Sequence, residues 1–276
     1  RDSRKSRGLG DVYKRQGPVD EVLSSKRMNL KRRDFQTLSG TEFLNDRIID
    51  KYMKLIRERN RADSSLPVVY TCMTHLYTGI SLKGLDHTET WVKKDLRTVD
   101  LILIPIHEER KVHWSLIVVE TCTKTVNYFD SLPGSRGYGS APRVFKDYME
   151  KHYRDKGENV TFKIKIRDDA PLQENGYDCG VFICQYAERV ARRSSLNFSQ
   201  RDLYLACARE KMTRELLEGR INPEWRTAHW AKEVGKNQKK NKENKDIARG
   251  KENIRKVEKP PVSYTHLRAH ETCENR

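Results

Sequence analysis

The segment QENGYDCGVF, Gln173 to Phe182, sets one cysteine between an acid and a glycine, behind an amide-rich lead-in and ahead of an apolar pair. Two glycines and this many polar groups make a poor core segment. From Cys179 onward, however, Val181, Phe182, Ala187, Val190 and Ala191 recur at helical spacing. The cysteine therefore opens a helix, with Asp178 as its candidate cap. Unpaired amides and the dipole at a helix N-terminus favour negative charge, so a thiolate is favoured there. Six residues earlier, Gln173 offers side-chain N–H groups that, with the amide of Cys179, make the donor pair needed to hold a tetrahedral oxyanion. Gly176 and Gly180 permit close backbone approach where a substrate chain has to pass.

A nucleophilic thiol needs a base, and the segments KVHWSLIVVE and KTVNYFDS supply one by pairing as a hairpin. With Glu120 to Thr123 as the turn, Val119 faces Lys124, Ile117 faces Val126, Ser115 faces Tyr128, and His113 falls directly opposite Asp130. Directly opposed residues share a face with Cβ atoms about 4.5–5.5 Å apart, close enough for an imidazole–carboxylate hydrogen bond. Taken singly, a cysteine is more often a small buried hydrophobe, and Cys184, further along the same helix, is read that way. A lone His113 reads as a strand histidine and a lone Asp130 as a turn former. The conjunction of the three points to nucleophilic catalysis.

Around these residues, TEFLNDRIIDKYMKLIRERN places Leu44, Ile48, Tyr52 and Ile56 four apart, with Ile49 and Met53 beside them. This is one apolar face of a helix capped by Asn45 or Asp46. PVVYTCM and VDLILIPIH read as strands, the latter continuing into the hairpin as a meander. RVFKDYMEKHY reads as a helix and VTFKIKIRD as a strand facing an edge. A last helix runs from about Gln200, with Ser199 and Asp202 as a capping box, Met212, Leu216 and Leu217 on its apolar side, and Gly219 as its stop. The Gly-rich stretch at 134–139 lacks the lysine of a phosphate-binding loop.

Of the net charge of +16, residues 1–16 carry +4 and residues 235–276 carry +6, which leaves +6 on residues 17–234. The two ends stand in a particular relation. VSYTHLRAHE and SRGLGDVYKR are translations of the two strands of one oligonucleotide, GTCTCTTATACACATCTCCGAGCCCACGAGA. Residues 1–16 and 262–276 are therefore expected to be adapter-derived and are set aside. Residues 17–230 are expected to form one catalytic domain, and residues 231–261 a charged, low-complexity tail. A mildly basic domain gives no specific claim on nucleic acid. No apolar run approaches the roughly 18–20 residues of a membrane span. Five of the six cysteines remain, with no metal or disulfide spacing, so no metal or cofactor is implied and a reducing compartment is the simpler expectation.

The order FLND, VHW, YFDS, PLQENGYDCGVF resembles the catalytic domain of the ubiquitin-like-protein proteases, the Ulp or sentrin-specific (SUMO) protease family, from about Met28 to Ile221. The resemblance implies an α+β, papain-like cysteine protease fold: a central, mostly antiparallel sheet flanked by helices, with the catalytic cysteine at a helix N-terminus. It implies a triad of His113, Asp130 and Cys179, with Gln173 in the oxyanion hole. It further implies a tunnel for a Gly-Gly tail roofed by Trp114 and, where the family has a second tryptophan, by Phe43. His107 would stand at the tunnel mouth and Asp46 would meet a basic residue of the modifier. The implied function is cleavage after the C-terminal Gly-Gly of a SUMO-like modifier, in precursors or isopeptide conjugates. The implied enzyme is a nuclear monomer, with the cytoplasm as a second compartment. The alternatives are specificity for another modifier, as in a deneddylase, and an inactive SUMO-binding domain.

Overall fold

The computed structural model describes residues 17–25, 28–85, 91–92, 94–108, 112–132, 139–198 and 204–221. Its centre is the apolar run Leu101 to Ile106, which forms most of β2 (Leu101–Glu108). Beside it lie β1 (Val69–Thr71), β3 (His113–Glu120), β4 (Thr125–Phe129) and β5 (Lys163–Ile166), in the spatial order β1-β2-β3-β4-β5. β2, β3 and β4 pair antiparallel as the expected meander, while β1 joins β2 and β5 joins β4 in parallel. The sheet is thus mixed, antiparallel at its middle with parallel edges.

The hairpin register differs from expectation. The turn is Thr121 to Lys124 and not Glu120 to Thr123, so Val119 pairs with Val126, Ile117 with Tyr128 and Leu116 with Phe129. Lys124 closes this turn at φ 51°, a left-handed conformation unusual for a residue with a Cβ. The pairing is displaced by two residues, which preserves the face of every side chain. His113 and Asp130 are accordingly diagonal neighbours on one face and not directly opposed, a separation that a long side chain still bridges.

Among the described residues six α-helices accompany the sheet: α1 (Arg32–Gln36), α2 (Asp46–Ala62), α3 (Leu76–Lys83), α4 (Ala141–Arg154), α5 (Cys179–Ala191) and α6 (Tyr204–Glu218). α1 and α3 carry no strong periodic signal in the sequence. Asn45 caps α2, its side-chain oxygen accepting from the Ile48 amide at 3.0 Å, and the buried face comprises Ile48, Ile49, Tyr52, Met53, Leu55 and Ile56. Gly219 ends α6 at φ 71°, as a C-terminal glycine does. The Ser199 and Asp202 pair lies outside the described residues.

Alternation along the strands builds one core on each sheet face. Leu103, Leu116, Val118 and Phe129 pack with α2, α5 and α6. Ile102, Ile104, Ile117, Val119 and Val126 pack with Leu76 and Ile80 of α3 and Phe145 and Met149 of α4. α5 is buried on all sides from Cys179 to Glu188, sandwiched between the sheet and α2. Polar ties fix that sandwich: Asn60 donates to the carbonyls of Pro67 and Ala191 at 2.9 and 2.7 Å, and the Tyr52 hydroxyl donates to Glu215 at 2.9 Å. Among the described residues no helix is long and apolar enough to cross a membrane.

Candidate active site

The chain enters α5 through an Asx turn. Asn175 Oδ1 accepts the amides of Tyr177 and Asp178 at 3.1 and 3.0 Å, which bends the backbone into the helix without a regular cap. Asp178 occupies the N-cap position, but its side chain accepts no amide of the first turn, contrary to the capping expected of it. The carboxylate instead takes Asn175 Nδ2 at 2.6 Å and the guanidinium of Arg209, from Nε at 2.9 Å and Nη2 at 2.6 Å. The first-turn amides beside Cys179 are thereby left without a carboxylate on them, as an anion site at a helix start requires.

His113 begins β3 and Asp130 follows β4 directly, so both stand at one end of the sheet. His113 Nε2 meets Asp130 Oδ1 at 2.7 Å, and the imidazole also hydrogen-bonds the Cys179 side chain; with Nε2 on the carboxylate, Nδ1 is the nitrogen left for the sulfur. Asp130 is held by two further donors, the Leu132 amide at 2.9 Å on Oδ1 and the Tyr128 hydroxyl at 3.2 Å on Oδ2. Burial pushes the His113 pKa down. The hydrogen bonds and charges of Asp130 and Cys179 outweigh it and raise the pKa to about 9.

Gln173 is buried, and both ends of its amide are assigned by their partners. Oε1 accepts from the Ser131 hydroxyl at 2.5 Å, and Nε2 donates to the Asn175 carbonyl at 2.6 Å. Its backbone amide donates to the Ser131 carbonyl at 2.8 Å. Ser131 adjoins Asp130, so the hydrogen bonds that orient Gln173 run through the residue next to the carboxylate. With one Nε2 proton on Asn175, the second remains for another acceptor.

Trp114 is buried, with its ring tilted by 35° against that of His107, its cross-strand partner, at 4.4 Å between centroids. Its indole N–H donates to the Leu44 carbonyl at 3.1 Å. The Leu44 side chain is seated on Gly180, where an added Cβ would lie 2.8 Å from Leu44 Cβ. Gly180 therefore admits this leucine and not, as expected, a passing substrate chain; around Gly176 nothing lies within 4 Å of an added Cβ. The neighbouring residue, Phe43, is 44% exposed. Asp46 is exposed at the first turn of α2, with Oδ1 on the Arg47 amide at 2.8 Å.

His113, Asp130, Cys179 and Gln173 thus gather at one end of the sheet, with Trp114 and His107 alongside and Phe43 attached through Leu44. Among the described residues no cluster of histidine, cysteine and carboxylate side chains is suited to hold a metal. Arg209, Ser131 and Asn175 took no part in the sequence reading. Asn175 had a legible signal, the Asn-Gly of a turn ahead of a helix. Arg209 had none, since its partners are distant in sequence.

Residues 42–217 match the model of the Ulp1 protease family, C-terminal catalytic domain. The chain belongs to this family. Sentrin-specific protease 2 of Pongo abelii is 34% identical over 214 residues, covering 74% of this chain and 35% of that protein. A sentrin-specific protease of Caenorhabditis elegans is 31% identical over 213 residues, covering 74% and 29%. The chain therefore spans about a third of the length of the curated relatives it matches. In fold it is similar to the C-terminal Ulp1 protease domain solved in complex with Smt3, the yeast ortholog of SUMO, with a TM-score of 0.64, 24% identity, and coverage of 78% of this chain and 96% of that one. The Ulp1-family segment begins at Glu42 and ends at Leu217, so it takes in the Phe43–Leu44 pair at one end and most of α6 at the other.

Proposed function

We propose that this chain is a cysteine protease that cleaves after the C-terminal Gly-Gly of a SUMO-like modifier. The observation that carries the reading is His113, hydrogen-bonded on one side to Asp130 and on the other to the cysteine that starts α5, in a member of the Ulp1 family. His113 takes the thiol proton of Cys179, and Asp130 fixes the ring so that the nitrogen opposite its own bond faces the sulfur. The thiolate attacks the glycyl carbonyl, and the oxyanion so formed is held by the Cys179 amide and the free N–H of Gln173. Imidazolium returns its proton to the departing amine, leaving a thioester. Water, deprotonated by His113, attacks that thioester and releases the modifier's carboxylate and the free thiol.

Substrate choice follows from the roof. Phe43 and Trp114 flank the approach to Cys179, where a side chain larger than hydrogen on the last residues of the tail meets an aromatic surface; selection of Gly-Gly is steric exclusion. His107 backs Trp114, and Asp46 is the exposed anion that meets a basic residue of the modifier. No metal or cofactor enters. The enzyme acts as a monomer, and its working compartment is the nucleus, which imaging of the tagged chain tests.

The decisive experiment is incubation with a panel of ubiquitin-like modifiers carrying a C-terminal electrophile. A single adduct with the SUMO-like member, mapped to Cys179, is the expected result. A preference for another modifier would reassign the substrate, and labelling of Cys72, Cys122 or Cys184 in place of Cys179 would overturn the mechanism. Cys179→Ser is expected to abolish turnover while retaining modifier binding.

A further inference from the structure

Arg209 lies on α6, remote in sequence from His113, Asp130, Gln173 and Cys179, and is buried with its charge inside the protein. Its guanidinium serves both sides of the site at once. Nε and Nη2 bind Asp178 Oδ1 at 2.9 and 2.6 Å, and Asp178 is the residue immediately before Cys179. Nη1 donates to the Thr37 carbonyl at 3.1 Å and Nη2 to the Glu42 carbonyl at 3.0 Å, and Glu42 is the residue immediately before Phe43. The Tyr177 ring lies 5.9 Å from the guanidinium carbon. With the Tyr177 carbonyl also accepting from Nη2 at 3.5 Å, a planar fork with five donors bridges four acceptors, where a point charge satisfies only some of them.

The charges around Cys179 make this pairing consequential. β3 contributes His113, the end of β4 contributes Asp130, and β2 contributes His107 behind Trp114. α2 contributes Asp50, which acts on Cys184, one turn and more along α5. Asp178, buried and adjacent, is the carboxylate nearest in sequence to the nucleophile, and its only cationic partner in the hydrogen bonds above is Arg209. A buried carboxylate stripped of its partner opposes the appearance of a second negative charge beside it.

We propose that Arg209 is a positioning residue of the reaction: it cancels the Asp178 charge next to the nucleophile and ties the Phe43–Leu44 segment to the start of α5. The inference rests on the protease reading of the site. It separates into two measurable parts, because Lys keeps the charge but not the reach, and Gln loses the charge.

The test compares wild type, Arg209→Lys, Arg209→Gln, Asp178→Asn and the Asp178→Asn/Arg209→Gln double variant on a SUMO-like modifier joined through Gly-Gly to a reporter amine. Rates are expressed per active site titrated with the modifier electrophile. Arg209→Gln is expected to lower kcat by about ten- to a hundredfold, the scale of an unscreened like charge, and the double variant to recover most of that loss. Arg209→Lys is expected to keep kcat within about threefold while raising KM about fivefold, since the guanidinium's bonds to Thr37 and Glu42 are lost with its fork. A brace with no part in the reaction would lower the melting temperature of these variants yet leave kcat and KM per titrated site at wild-type values, and that result overturns the proposal. Should Arg209→Gln fail to fold, the KM of Arg209→Lys decides alone, an unchanged KM being fatal. Should wild type not cleave the modifier, the protease reading has failed and the inference is judged separately, by the ratio of iodoacetate to iodoacetamide labelling mapped at Cys179. That ratio falls in Arg209→Gln and returns in the double variant if Asp178 is the charge being cancelled; a ratio that does not move overturns it.

Discussion

His113 holds its proton to about pH 9, some way above the roughly 6.5 of a free histidine. Its folded value being the higher, the protonated ring contributes stability that is fully present below about pH 6.5 and is lost as pH rises from there through about 9. The same titration bounds the proposed reaction, in which the imidazolium that would protonate the leaving amine disappears on the alkaline side. Asp130→Asn removes the carboxylate whose hydrogen bond and charge hold that proton, so the alkaline limb of kcat/KM is expected to move toward lower pH, together with a loss in rate. A pH–rate profile whose limb stays in place would assign the limb to another group. In the proposed mechanism Gln173 acts at a different moment, when charge has reached the carbonyl oxygen. Gln173→Ala is expected to lower kcat by about 10²- to 10³-fold, the cost of one oxyanion donor, with KM little changed because that charge exists only near the transition state. A change confined to KM, seen in steady-state kinetics, would make Gln173 a loop-bracing residue tied to Ser131 and nothing more.

Between elements, the contact that most directly shapes the site is Leu44 on Gly180. Replacing Gly180 by alanine raises intrinsic helix propensity by about 1 kcal/mol, yet the new Cβ would sit 2.8 Å from Leu44 Cβ, an atom attached to backbone that cannot rotate away. Gly180→Ala is therefore expected to destabilise the fold by about 1–3 kcal/mol and to raise KM, since Phe43 moves with Leu44; urea unfolding that instead showed a gain would mean the segment yields freely. Elements were legible in the sequence where the signal is local. α2 was legible from Ile48, Tyr52 and Ile56 at four-residue spacing, and the meander from its β-branched and aromatic runs. The β3–β4 register was not, because the four-residue turn places Lys124 in a left-handed conformation that no glycine or asparagine announces. The facing of His113 and Asp130 survived the error because a two-residue displacement conserves parity. α3 lacks an apolar face to read, and Asp178 looked like a helix cap because its actual partner, Arg209, is 31 residues away, beyond any local pattern.

At the scale of the molecule the sheet separates two cores among the described residues, and Cys179 lies in the one containing α5. Phe145 of α4 lies fully buried in the other. Phe145→Ala is expected to cost about 3–5 kcal/mol while leaving kcat/KM per titrated active site near wild type; a matching loss of catalytic efficiency would show that the two faces of the sheet do not act independently. The sheet also has two margins, and they differ. β1 is three residues long, too short to recruit much of anything. β5 is longer, and no strand among the described residues pairs with its outer side. Its residues run Lys163, Ile164, Lys165, Ile166, both lysines exposed. A strand edge without a neighbour is in general a template for strands of other copies, and ammonium groups along it make a second identical strand repel the first. What reads locally as an alternating strand thus bears on how readily molecules of the protein stick to one another when concentrated, and its two surface lysines work against that sticking.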